Sequence, residues 1–105
     1  MADKDNVSFK GMDDFEKRYF AGNPAAIRDF LNVALEDYIE NGDKAEFLNC
    51  VAMAVKWAGA SSIASKGRIS RQGIYKAIKP ASNPAFTTIV DILHGAGFSF
   101  KITKA

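Results

Sequence analysis

The chain is cut at short intervals by residues that start or stop helices, and this punctuation restricts it to a set of short helices packed on one another. Asn23-Pro24 opens a helix, because Asn caps and Pro fits the first helical position, where its missing N–H costs nothing. Ile27, Phe30, Leu31, Ala34, Leu35 and Tyr38 follow at 3/4 spacing and make one apolar face. Asn41-Gly42 stops that helix, and Asp43 starts the next with Glu46 three residues on, a capping-box spacing. Leu48, Val51, Ala52 and Val55 form its stripe, and Gly59 ends it.

Two short helices follow. Ser61 or Ser62 is expected to cap the first, which holds Ile63 and Ala64 and breaks at Gly67. Ser70 caps the second, Arg71 to Ile78, which Pro80 terminates. Two short helices about three residues apart, with small residues at their crossing, form a helix-turn-helix at about 60–79. Ser82, Asn83 and Pro84 are expected to start a last helix striped by Phe86, Ile89, Val90 and Leu93, with Gly95 and Gly97 at its end. Phe98, Phe100 and Ile102 then alternate with Ser99, Lys101 and Thr103, the period of a short C-terminal strand. Such a strand needs a partner, either its copy in a second subunit or an edge of another protein.

At 105 residues the chain is one domain by size, and 48% hydrophobic with 25% charged residues is an ordinary globular balance. Residues 1–22 read as a flexible or short-helical extension, with Phe15, Tyr19 and Phe20 on one turn, and 23–105 as a single helical domain. One cysteine, Cys50, permits neither an internal disulfide nor a cysteine-based metal site, and it reads as a small buried hydrophobe. No stretch has the length of a membrane span, and Met1 to Lys10 lack the apolar centre of a signal peptide, so no membrane association and a cytoplasmic location are expected.

The net charge of +2 hides an asymmetry. Residues 1–46 carry eleven acidic and six basic side chains, net −5, whereas 47–105 carry only Asp91 against eight bases, net +7. The bases concentrate in the helix-turn-helix: Lys66, Arg68, Arg71, Lys76 and Lys79, with Ser61, Ser62, Ser65, Ser70, Gln72 and Tyr75 and no acid. That mixture suits double-stranded DNA. Bases displace counterions from phosphates, hydroxyls fix register on phosphate oxygens, and Arg and Gln read guanine and adenine in the major groove. The start of the second short helix and its outer side give the base-reading set Ser70, Arg71, Gln72, Gly73, Tyr75 and Lys76, with Ile74 and Ile78 facing the core. Ser61, Ser62, Lys66, Arg68 and Lys79 are the phosphate set. Gly73 inside a helix costs about 1 kcal/mol against Ala, a cost explained either by close approach to DNA or by a close helix crossing.

Ile69-Ser70-Arg71-Gln72-Gly73-Ile74-Tyr75-Lys76-Ala77-Ile78, then Asn83-Pro84-Ala85-Phe86 and Gly97-Phe98, resembles the antidote proteins of addiction modules, antitoxins with an Xre or lambda-repressor-like helix-turn-helix. The likeness spans about Phe30 to Ile102. It implies an all-α, lambda-repressor-like bundle of about five helices with an N-terminal helical extension and a short C-terminal β-strand. It also implies a homodimer that represses its own operon and neutralises a small basic ribonuclease toxin of the RelE/HigB type. The acidic N-terminal extension is then a candidate toxin-facing surface. The chain departs from the family in its turn, where glycine falls three residues before Ser70 rather than two. A stand-alone Xre-type regulator without a toxin, and a protein-interaction module that has lost DNA binding, are the alternative readings.

Catalysis is not expected. His94 is the one histidine and has no positioned partner; Asp13, Asp14 and Glu16 lack calcium-loop spacing; Gly95-x-Gly97 is too little for a phosphate loop. Trp57 and Phe98 read as core, and no metal or cofactor is called for.

Overall fold

A computed structural model of the chain describes residues 15–105, and every regular element among them is an α-helix. Residues 15–21 form α1; α2 is Pro24–Asn41, α3 Lys44–Ala58, α4 Ala60–Lys66, α5 Arg71–Ala77 and α6 Phe86–Gly95. The lead-in expected over 1–11, and Asp13 and Asp14, lie outside the described residues.

Local chemistry sets most of the ends. The Asn23 side chain accepts from the Ala26 N–H at 3.2 Å, with Pro24 in the first turn. Gly42, at φ 69°, donates back to the Tyr38 carbonyl at 2.7 Å and closes α2. Asp43 accepts from the Glu46 N–H at 3.1 Å, but the capping box stays half-made. The Asp43 N–H goes to the Asn41 side chain at 2.7 Å, and the Glu46 carboxylate takes the Cys50 thiol at 3.8 Å instead. Cys50 is half-buried rather than fully buried; burial first, then the Glu46 charge, pushes its thiol pKa up.

Three expectations are corrected. Ser61 and Ser62 do not cap α4: they are exposed within its first turn, and Gly59 at φ 91° and ψ 117° takes the boundary. Glycine is needed there because the chain bends by 87° between α3 and α4, which seats Ala60 and Ile63 in the core. Secondly, α6 starts at Phe86 with Ala85 as an uncapped boundary. The Asn83 carboxamide is drawn away to accept from the Lys44 ammonium at 2.8 Å, and the Ser82 hydroxyl donates to the Ala77 carbonyl at 2.6 Å, closing α5. Thirdly, the C-terminal strand is absent among the described residues. Among the described residues, those beyond Phe98 meet no second edge, and without a ladder the alternating pattern is not enough.

The end of α6 is fixed by two crossed bonds, from the Gly97 N–H to the His94 carbonyl and from the Phe98 N–H to the Leu93 carbonyl, both 3.0 Å. Gly97 stands at φ 101° with open space where a Cβ would go. Gly97→Ala is therefore expected to cost about 1 kcal/mol through backbone strain alone, read as a small fall in urea midpoint with unchanged slope.

α4 is central: it packs on α3, α5 and α6, while α2 packs on α3. Val51, Ile63, Ile74 and Ile92 are the fully buried side chains of a core that also takes Ile27, Leu31, Val55 and Leu93. Trp57 is buried and Phe98 half-buried against that core. Phe20 docks α1 by stacking on Trp57 at 3.9 Å, with Phe30 edge-on to the indole at 4.9 Å. Phe15 and Tyr19, the other two aromatics of α1 expected to pack, are exposed, and so are Tyr38 and Phe86, expected on the apolar stripes of α2 and α6. Among the described residues, no single helix is long and apolar enough to cross a membrane.

Candidate nucleic-acid interface

α5 owes its position to two anchors and its start to one hydroxyl. Ile74 and Ala77 are buried, and the Ser70 Oγ accepts from the Gly73 N–H at 3.0 Å. Ile78 packs on the core but is only half-buried, as the boundary residue that ends the helix. With those side chains inward, Arg71, Gln72, Tyr75, Lys76 and Lys79 are all exposed. At about 100° per residue Arg71, Gln72, Tyr75 and Lys76 share one outer arc of roughly 140°, and Lys79 follows just beyond the helix end. The Arg71 guanidinium lies over the Tyr75 ring at 5.9 Å from its centroid, which holds the cation outward.

Around this row stand Ser61 and Ser62 on the first turn of α4, Lys66 on its last, and Arg68 in the connection, all exposed. Among the described residues, Lys66, Arg68, Arg71, Lys76 and Lys79 pair with no carboxylate. Their field is therefore uncompensated on this side of the molecule. Ser70 is exposed and its oxygen accepts the cap bond with one lone pair, leaving the hydroxyl proton and a second lone pair for other partners.

Gly73 has a local reason that sequence reading did not find. A Cβ there would lie 2.9 Å from Cγ1 of Ile69, so the glycine makes room for the turn's own apolar residue rather than for another helix. Gly67 is not a left-handed turn glycine: its φ is −103°. A Cβ at Gly67 would stand 3.0 Å from the Ile63 carbonyl and 3.3 Å from the Cα of Gly95, so this glycine serves the crossing of α4 with α6. The small residues expected at the crossing are thus present, but the partner is α6.

An open depression of about 440 Å³ beside α5 is lined by Ile69, Gly73, Lys76, Ser82, Asn83 and Pro84, among others. The fold alone brings these segments together. His94 is exposed on the last turn of α6, far in function from any cluster: no group of three metal-ligating side chains occurs among the described residues.

A family model described as probable addiction module antidote protein matches residues 12–104. An uncharacterized protein of Haemophilus influenzae is 28% identical over 93 residues, covering 88% of this chain and 91% of the relative. No solved structure matches.

Proposed function

Since the chain belongs to the family of probable addiction module antidote proteins, we propose that it is an antitoxin that binds DNA through a lambda-repressor-like helix-turn-helix made by α4 and α5. It represses its own operon as a homodimer and neutralises a small RelE-type ribonuclease toxin by direct contact. The family supports the antitoxin role and a toxin partner. The observation that carries DNA binding is the outer arc of α5: exposed Arg71, Gln72, Tyr75 and Lys76, flanked by unpaired bases and by no acid between residues 60 and 80.

In this reading Arg71, Gln72 and Lys76 reach base edges from the major groove, while Lys66, Arg68 and Lys79 hold phosphates. Tyr75 lends its ring to the placement of Arg71. Ser61 and Ser62, at the exposed start of α4, contact the backbone of the duplex.

The test is fluorescence anisotropy with labelled DNA from upstream of the gene, against scrambled DNA, at two salt concentrations. Binding that survives competitor and weakens with salt is expected. Arg71→Ala should lose about 1–3 kcal/mol at one base position, whereas Lys79→Ala should weaken all sequences alike and lower the salt slope by about 1. Equal binding to both DNAs, or indifference to Arg71→Ala, overturns the repressor reading and favours a protein-interaction module.

A further inference from the structure

The outer face of α2 combines exposed aliphatic side chains with a single sign of charge. Ile27, Leu31 and Ala34 turn inward, leaving Val33 54% and Ile39 80% exposed. Asp29, Glu36, Asp37 and Glu40 all fall within about 60° of Val33 around the helix, and Ile39 lies about 120° from Val33 on the far side of Glu36. The one base in α2, Arg28, is tied to Asp29 at 3.0 Å. Glu36, Asp37 and Glu40 have no cationic partner among the described residues. The surface continues onto α3, since the carboxylates of Asp37 and Glu46 both act on the Cys50 thiol.

Such spacing is unfavourable to the helix by itself. Glu36 and Glu40 are like charges one turn apart, and each such pair costs a helix a few tenths of a kcal/mol in water. A cationic surface laid on this face removes that repulsion and covers Val33 and Ile39 at the same time. DNA is excluded by sign. A second copy is disfavoured, because an isologous contact sets one acidic patch against another.

We propose that the outer face of α2, centred on Val33, Glu36, Ile39 and Glu40, is the docking surface for a basic, partly apolar protein surface. The proposal rests on the antidote reading for the existence of a protein partner, and it places that partner apart from α5. α2 packs on α3, whereas α5 packs on α4 and α6. Both faces can then be occupied at once.

The probe is a labelled synthetic helical peptide with leucines on one face and lysines on the other, titrated into the full chain. Binding is expected, with slowed hydrogen exchange in α2. The pair Glu36→Gln with Glu40→Gln, and separately Val33→Ser with Ile39→Ser, should each weaken it about tenfold. These are surface changes whose folding is checked by circular dichroism, and binding to upstream DNA should stay within about twofold in both. Absence of peptide binding, protection on another helix, or wild-type affinity in both variant pairs overturns the proposal. So does a fall in the chain's own sedimenting mass in the Val33→Ser pair, which would assign the face to a second copy. Loss of upstream-DNA binding in the wild-type chain, with peptide docking on α2 intact, overturns the repressor reading and leaves this one standing.

Discussion

Replacing Gly95 by alanine is expected to lower the melting temperature by about 10 °C, although alanine is the better helix former by about 1 kcal/mol. Gly95 is the last residue of α6 and is buried against α4. An added Cβ would stand 2.6 Å from the carbonyl oxygen of Ile63 and 2.8 Å from its Cγ2. Neither neighbour can yield cheaply. The carbonyl accepts the Gly67 N–H at 2.8 Å and so ends α4, and the Ile63 side chain is fully buried. Gly67 lies on the other side of the same crossing, 3.3 Å from Gly95 when its own Cβ is added. The helices must separate, and overpacking of this kind costs about 1–3 kcal/mol, whereas the propensity gain, a helix-interior figure, is smaller at the last residue of α6. Thermal and urea unfolding followed at 222 nm measures it, with Gly97→Ala as the control for conformational strain without contact. A Gly95→Ala chain as stable as the wild type would mean that the crossing of α4 and α6 is not close-packed at this point.

Trp57→Ala should be more damaging, costing about 3–5 kcal/mol, a large share of what a small domain has. The indole is 6% exposed and holds two helices at once: Phe20 of α1 stacks on it with planes 12° apart, and Phe30 of α2 meets it edge-on. Its removal opens a cavity at the end of α3 between α1 and α2. Phe20→Ala separates the two contributions. It should release α1, shift the emission of the single tryptophan toward the red and leave the helicity of α2–α6 nearly unchanged. Trp57→Phe should recover part of the stability. If Trp57→Ala unfolds at the wild-type urea concentration, the aromatic contact does not hold these helices.

Part of the candidate interface was legible because it is written locally. Ser70 capping Gly73, the inward Ile74 and the outward Arg71, Gln72, Tyr75 and Lys76 follow from one cap and a 3.6-residue period. The purpose of the glycines was not. Gly67, Gly73 and Gly95 look alike in sequence, yet one makes room for a side chain in its own turn and two face each other across a helix crossing. Lys44 is likewise silent in sequence, although it recruits Asn83 over 39 residues.

The sequence by itself determined the number of helices from α2 onward and most of their inner faces and ends, because caps, proline and left-handed glycine act within about four residues, but it put Tyr38 and Phe86 on inner faces where both are exposed. Only the tertiary structure decided where α4 and α6 begin. Those starts depend on which residues must reach the core: Ala60 and Ile63 after the bend at Gly59, and Ile89, Ile92 and Leu93 after the extended residues that end at Ala85. It also decided the fate of 98–103, where the two-residue period is present but a strand is not. A helix completes its hydrogen bonds within itself, whereas a strand exists only when another edge accepts it.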